Sequence, residues 1–342
     1  MPQNDQVILA ERPTGMPDET NLVLQAGPMP EAADGEVVLK TLYLSLDPYM
    51  RGRMNSGASY ASPVEVGQVM QGATVSEVVE SRFDGLAPGD IVLGYGGWQR
   101  YAAAPGKALR RLDPGEAPIT TALGVMGMPG FTAYVGLLDL GQPRAGETVV
   151  VSAAAGAVGQ VVGQLAGIQG CRVVGVAGAD DKCRQVTGTY GFDACINHKS
   201  DEFEQQLDAA CPDGIDVYFE SVGGKVFDAV MKRVNDFARI PVCGRIAHYN
   251  QTELPEGKDR LIPFMGKVLV KRLMLRGFIQ SDHLERQPDF LKDMGEWLRH
   301  GKIYYQEDIV DGLENAVSAF QGLLRGDNRG KLIIRVAPDS PA

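Results

Sequence analysis

Residues 148–167, TVVVSAAAGAVGQVVGQLAG, join an apolar strand to a small-residue helix through a turn that nearly spells G-x-G-x-x-G. Ala154 stands at the first glycine position, while Gly156 and Gly159 fill the other two. A helix opening at such a turn aims unpaired N–H groups and the positive end of its dipole at an anion. Ala155, Gly156, Ala157 and Val158 are therefore candidate contacts for a pyrophosphate. Alanine at 154 keeps the approach close provided its φ is negative. The plainer alternative is an ordinary strand-to-helix packing turn. In the helix, Val158, Val161, Val162, Leu165 and Ile168 fall on one face, and Gly159 and Gly163 let the backbone near the sheet.

The next apolar run, RVVGVAG, ends at Ala177-Gly178 with no carboxylate at its tip, where an acid would hold the ribose of NAD. Asp180, Asp181, Lys182, Cys183 and Arg184 follow. Lys182 and Arg184 could meet a 2′-phosphate, which favours NADP over NAD. Otherwise DDKCR is a solvated helix start capped by Asp180 or Asp181.

Two tyrosines could do acid chemistry. Tyr249, in AHYNQT, follows a strand ending at Cys243-Gly244, at the carboxyl edge where ligands sit in such sheets. Tyr60 lies in the Gly/Ser-rich loop GASYASP. A tyrosine hydroxyl titrates near pH 10, so at neutral pH it can donate to a developing oxyanion. Any one of the eleven tyrosines could instead be a half-buried packing residue.

The elements that must position these groups fall into two patterns. The first third reads as short strands broken at Gly, Pro or Asp, in GEVVLKTLYLSLDP, VEVGQVMQGATVSEVVES and GDIVLGYGGWQRYAAAP. It predicts a mainly antiparallel, barrel-like module. From MGMPGFTAYVGLLDLG onward, helices alternate with expected strands at 148–151, 172–177, 194–197, 216–219, 239–243 and 273–278. Alternation of this kind predicts a doubly wound parallel sheet. KIYYQEDIV, a helix through LENAVSAFQGLLRG and the strand KLIIRV could return to complete the first module.

A chain of 342 residues suggests about two domains. The net charge of −10 argues against nucleic acid or an anionic membrane as partner. Gly159, Gly163 and Gly167 also have membrane-packing spacing, but Gln160, Gln164 and Gln169 interrupt the run. The start, MPQNDQVILAERP, lacks the basic and apolar regions of a signal peptide, so the cytoplasm is expected. The odd, widely spaced cysteines 171, 183, 195, 211 and 243 read as reduced thiols.

Over nearly all its length the chain resembles the medium-chain dehydrogenase/reductase superfamily. Many of its members bind a catalytic zinc through a Cys in the early β module and a Gly-His-Glu motif. The matching segments here, LYLSLDPYMRG and EVGQVMQG, carry no Cys and no His-Glu pair, because Gln68-Val69 follows Gly67. Histidines 198, 248, 283 and 300 all lie outside that module. The ligand chemistry therefore argues against a zinc alcohol dehydrogenase, and no metal is expected.

LSLDPYMRGRM, LGVMGMPGFTAYVGLLDLG, AAAGAVG, GCRVVGVAG, GIDVYFESVGGKVFDAV, RIPVCG and GDNRGK are similar to the zinc-free leukotriene B4 dehydrogenase/prostaglandin reductase family. The resemblance implies a GroES-like catalytic domain of residues 1–127 and 303–342 and a Rossmann NADP-binding domain of residues 128–302. It implies reduction of the carbon–carbon double bond of enones (curcumin-type) and alkenals with NADPH, and a homodimer. Hydride would go to the β carbon and the enolate would be protonated. Lys182 would bind the 2′-phosphate, and His198 stands where relatives have a phosphate-binding Tyr. Gly178 would adjoin them. Ser221, Val222, Cys243, Gly244, Phe278 and Asn328 would border the cofactor, with Ser221 where relatives often have Asn. Tyr249 and Tyr60 would be the donors. Tyr49, Met50 and Met126 are candidate substrate contacts, with Trp98 and Met128 as further apolar wall. Asp47 and Arg51, four apart, suit a structural ion pair. Substrate-loop conformations are expected around Tyr60, Tyr249 and residues 261–265.

A zinc-free quinone reductase and a non-enzymatic NADPH-binding protein are the competing readings. Quinone turnover without enone activity would mark the first. Tight cofactor binding without turnover would mark the second.

Overall fold

Short apolar runs broken by turn residues fold as strands through the first third of the chain. A computed structural model describes residues 3–57, 59–253 and 260–337. Their contacts separate them into one unit of residues 3–124 with 307–337 and a second of residues 125–306.

The first unit opens with an antiparallel pair, β1 (Asn4–Leu9) and β2 (Leu22–Gly27). Then come β3 (Glu36–Ser45), a single helical turn α1 (Met50–Arg53), β4 (Thr74–Ser81), β5 (Ile91–Gly94), β6 (Tyr101–Pro105) and β7 (Arg110–Leu112). β3 is the organising strand. It pairs antiparallel with both β4 and β6, and most of its residues are buried.

The second unit begins with α2 (Met128–Tyr134), whose Pro129 sits in the first turn, where a missing N–H costs nothing. The alternating pattern follows: β8 (Thr148–Ser152), α3 (Gly159–Ile168), β9 (Arg172–Ala177), α4 (Asp180–Tyr190), β10 (Ala194–Asn197), α5 (Phe203–Ala210), β11 (Ile215–Phe219), α6 (Gly224–Met231), β12 (Val234–Val242), α7 (Leu261–Lys271), β13 (Met274–Gly277) and α8 (Gln287–Arg299). The six strands are all parallel, in the order β10-β9-β8-β11-β12-β13. The winding reverses between β8 and β11, so their carboxyl ends form the topological switch point at which such sheets bind ligands. Residues 261–265, expected as loop, are the opening of α7.

The inner face of α3 holds Val161, Val162, Leu165 and Ala166, all fully buried. Each larger one contributes roughly 1.5–3 kcal/mol by leaving water. Ile168 departs from the expected face and is exposed. The buried polar residues are Gln160 and Gln164, and their amides act as strand partners. Gln164 Nε2 donates to Tyr304 O at 2.8 Å, and Tyr304 N donates to Gln164 Oε1 at 2.7 Å. Gln306 N likewise donates to Gln160 Oε1 at 2.9 Å. Two glutamines that interrupt the apolar run thus satisfy the backbone of residues 304–306. Among the described residues, no helix is long and apolar enough to cross a membrane.

The tail returns to the first unit as β14 (Glu307–Asp311), α9 (Ala316–Arg325) and β15 (Lys331–Arg335). β15 pairs antiparallel with β3 and parallel with β14, completing the order β14-β15-β3-β4-β5-β7. Trp98 is fully buried in this core and meets Phe320 edge-on at 5.6 Å. It is core, not substrate wall. The expected Asp47–Arg51 pair is replaced: Asp47 pairs with the buried Lys331 at 2.9 Å, and Arg51 donates to Gly15 O at 2.9 Å and Asn55 Oδ1 at 2.7 Å.

Candidate functional site

The turn between β8 and α3 lies at the switch point. Ala154 is fully buried and its φ is not positive; the left-handed residue is its neighbour Ala153, at φ 50°. The Ala154 methyl fits because β9 carries Gly175 opposite: a Cβ there would lie 2.9 Å from Ala154 Cβ. The glycine missing from the fingerprint is offset by one on the adjacent strand. Gly156 N donates to Ala153 O at 2.9 Å, closing the turn. A Cβ at Gly159 would stand 2.3 Å from Ala153 O, so only glycine lets α3 start this close to β8. Ala155 is buried, while Ala157 and Val158 are half-buried. This is a cradle that any larger side chain would fill, and it fits a pyrophosphate at a helix N-terminus.

The tips of β9 and β10 carry the next group. His198 N donates to Ala177 O at 3.0 Å, joining the two strand ends. A Cβ at Gly178 would lie 3.3 Å from His198 Nε2 and 3.9 Å from Lys199 Nζ. Burial, then Lys225 and Lys199, push the His198 imidazole below its ordinary pKa. Its buried Nδ1 has no hydrogen-bond partner. Lys182 is half-buried in the first turn of α4. Beside it is a pocket of about 460 Å³ lined by Asp180, Cys183, Arg184, Cys195, Asn197, Lys199, Ser200 and Gln206. Asp180 does not cap its helix: Ala179 is the N-cap residue, and Asp180 accepts from Asn197 Nδ2 at 2.8 Å. An orphaned imidazole nitrogen and nearby ammonium groups, beside a strand β9 that itself ends without a carboxylate, fit the 2′-phosphate of NADP.

The ends of β11 and β12 bring Ser221, Val222, Cys243, Gly244 and Tyr249 together. Cys243 N and Gly244 N both donate to Glu220 O, at 2.8 and 3.2 Å. Burial pushes the Cys243 thiol up to about 12, so it stays protonated at neutral pH. A Cβ at Gly244 would lie 3.2 Å from Tyr249 Oη and 3.4 Å from Ser221 O. The Tyr249 hydroxyl therefore sits over Gly244, beside Ser221. His248 Nε2 accepts from Gly224 N at 3.2 Å, and its Nδ1 faces Gln251 Oε1 at 2.8 Å, which holds the turn that carries Tyr249. Phe278 packs edge-on to Phe219 at 6.3 Å, in space left by Gly136. Met126 is half-buried against the core of the same unit.

In the first unit, Tyr60 is 58% exposed and its ring lies over the Arg53 guanidinium at 4.5 Å. The same guanidinium faces the Tyr49 ring at 5.5 Å. Burial, then Asp47, raise the Tyr49 hydroxyl above its ordinary pKa. Met50 is fully enclosed by the core and leaves the set of candidate substrate contacts. Asn328 Nδ2 donates to Gly330 O at 2.8 Å.

Residues 5–112 match a family model described as the N-terminal domain of oxidoreductase, and residues 157–296 match one described as zinc-binding dehydrogenase. The chain is 53% identical over 338 residues, 98% of each chain, to the NADPH-dependent curcumin reductase of Escherichia coli. The chain belongs to the zinc-free medium-chain dehydrogenase/reductase family. Other relatives align over nearly the whole chain. The NADP(+)-dependent 2-alkenal reductase of Nicotiana tabacum is 40% identical over 98% of each chain. Prostaglandin reductase 1 of Rattus norvegicus is 41% identical over 94% of this chain and 95% of its own. The crystal structure of CurA from Vibrio vulnificus in complex with NADPH superposes with TM-score 0.95 at 50% identity, over 98% of this chain and all of that one. Among the described residues, no group of three or more His, Cys, Asp or Glu is placed to share a metal ion.

Three charged residues of the site are absent from the sequence expectations. Lys199 was legible as the neighbour of His198 in NHKS. Lys225 and Glu220 lie in the SVGGK and FES stretches, and only the fold brings them to the strand tips.

Proposed function

We propose that this chain reduces the carbon–carbon double bond of α,β-unsaturated ketones and aldehydes with NADPH, without a metal. The observation that carries this is the Tyr249 hydroxyl, held over Gly244 and beside Ser221 at the carboxyl edge of a sheet whose cradle fits NADPH. The enone and alkenal reductases among the relatives support the same reaction. The cofactor supplies the hydride that goes to the β carbon. Ala155, Gly156, Ala157 and Val158 hold the pyrophosphate. Lys182 and His198, with Lys199 beside Gly178, take the 2′-phosphate. Cys243, Gly244 and Phe278 border the nicotinamide side, and Ser221, Val222 and Asn328 border the cofactor. Tyr249 donates to the carbonyl oxygen as the enolate forms and stabilises that oxyanion. Tyr60 is the second donor, and Tyr49 and Met126 contact the substrate.

A homodimer in the cytoplasm is the expected state. α7 exposes Leu261, Ile262, Met265, Leu269 and Val270 next to the edge strand β13, an apolar face suited to a second copy.

The decisive assay follows NADPH and NADH oxidation with a 2-alkenal, an aryl enone, curcumin, a quinone and a saturated aldehyde. The expected result is NADPH-dependent turnover of the conjugated carbonyls to saturated-chain carbonyl products, identified by mass. Activity confined to the quinone would overturn the reading.

His198 gives the NADPH preference a pH dependence. Its pKa is depressed in the free protein, and a phosphate dianion beside it raises that pKa, so binding takes up a proton. Affinity for NADPH is then expected to tighten as pH falls from 8 to 6, by about fivefold more than affinity for NADH. Titrations of His198→Gln should lose that difference; an unchanged pH profile would remove His198 from the phosphate site.

A further inference from the structure

Glu220 follows β11 directly and is 3% exposed. Its carboxylate meets donors at both oxygens. Oε1 accepts from the backbone N–H groups of Val222 and Gly223, the latter at 2.9 Å, and lies 3.3 Å from Ser152 Oγ, which shares its one proton with Phe219 O at 3.1 Å. Oε2 accepts from the Tyr218 hydroxyl at 2.8 Å. Its own carbonyl accepts from Cys243 and Gly244. One residue thus ties together the two segments assigned to the cofactor and, through Ser152, the end of the cradle strand.

A glutamine would offer a single acceptor oxygen to the same donors, and its two N–H groups could be taken only if the Tyr218 and Ser152 hydroxyls turned to accept. That accounts for a carboxylate but leaves its charge uncompensated. Among the described residues no cation pairs with Glu220; burial raises its pKa, and only hydrogen bonds oppose that. At a pH above that raised pKa the group is a carboxylate, and an uncompensated buried anion exerts a field that the surroundings screen weakly. The nicotinamide ring is neutral when reduced and positively charged once it has given up hydride.

We propose that Glu220 is a positioning residue whose cation-free carboxylate also favours the oxidised, positively charged nicotinamide over the reduced one, and so promotes hydride release. The inference rests on the NADPH-binding reading above. It concerns the balance between two forms of the cofactor, so binding tests it without turnover.

Dissociation constants for NADPH and NADP+ are measured by protein fluorescence at pH 8.5 for wild type, Glu220→Gln and Glu220→Asp. At an effective dielectric constant near 20, a unit charge about 10 Å away changes the affinity for a cation by roughly tenfold. Glu220→Gln is expected to weaken NADP+ by about that factor relative to NADPH. Glu220→Asp keeps the charge while disturbing the hydrogen bonds, so it should weaken both forms alike and leave their ratio near wild type. Equal weakening of both forms by Gln would reduce Glu220 to a loop tie and overturn the electrostatic role. The wild type is itself a test should a variant not fold: it is expected to bind NADP+ no more weakly than NADPH, and a tenfold preference for NADPH would overturn the proposal. Failure to bind either nucleotide would instead defeat the NADPH reading.

Discussion

Tyr249→Phe is expected to lower kcat for an enone by about 10²–10³-fold, the usual cost of removing one oxyanion donor. The substitution deletes an oxygen and keeps the ring. The turn that carries it, residues 246–248, is held by His248 and Gln251 and not by the hydroxyl alone. NADPH affinity should therefore stay within about twofold, and the loss should appear in single-turnover rates. A further signature follows from the role. If the hydroxyl acts on the carbonyl oxygen, substrates with more acidic enols depend on it less, and the wild-type-to-variant ratio shrinks across such a series. A kcat within threefold of wild type would move the donor role elsewhere. Tyr60→Phe is the natural comparison. Its ring is stacked on Arg53 and largely exposed, so loss of its hydroxyl leaves the stacking intact.

Periodicity carried the fold a long way because strands and helices are local. The expected strand at 172–177 coincides with β9, and that at 194–197 with β10, since four to six apolar residues between turn signals leave little else to form. The cradle was also legible, but the reason Ala154 is tolerated was not. It depends on the register that sets Val151 opposite Gly175, a pairing between strands that no spacing within one segment reveals. Polar residues misled for the same reason. Gln160 and Gln164 read as interruptions of an apolar face, yet their partners are backbone groups about 140 residues away, at Tyr304 and Gln306.

The site divides along the same line. Candidates placed by a local motif, such as Gly156 in its turn or Tyr249 after its strand, could be proposed from the sequence. Residues that act through a distant partner could not. Asp47 and Arg51 have helical spacing, but α1 begins at Met50, after Asp47, so the spacing never becomes a shared face. Glu220 lies inside GIDVYFESVGGKVFDAV, but its role depends on a partner outside that stretch: Tyr218, Val222 and Gly223 are within three residues of it, while Ser152 comes from β8. Met50 was expected with Tyr49 as a substrate contact from LDPYMRG, but a single helical turn places it in the core.

Lys331→Met is expected to destabilise the first unit by about 3–5 kcal/mol, the cost of leaving a buried charge without its partner. Lys331 is 1% exposed and donates to Leu46 O at 2.7 Å and Asp47 Oδ1 at 2.9 Å. Asp47 also accepts from Ser45 Oγ, so after the substitution the carboxylate keeps one hydroxyl and loses its only ion-pair partner among the described residues. Glu307 adds to the penalty. It lies close enough for Lys331 to lower its carboxyl pKa, against the burial that raises it. Methionine nearly matches the lysine stem in volume, so packing changes little and the loss reports charge. Urea unfolding should show a lower midpoint with an unchanged slope, as the same surface is exposed. Adding Asp47→Asn should recover part of the loss, because a neutral amide at that position no longer needs a cation. If the single variant loses less than about 1 kcal/mol, the pair is not what ties β15 to the segment after β3. Recovery in the double variant would show that the lysine closing GDNRGK serves the architecture of the first unit.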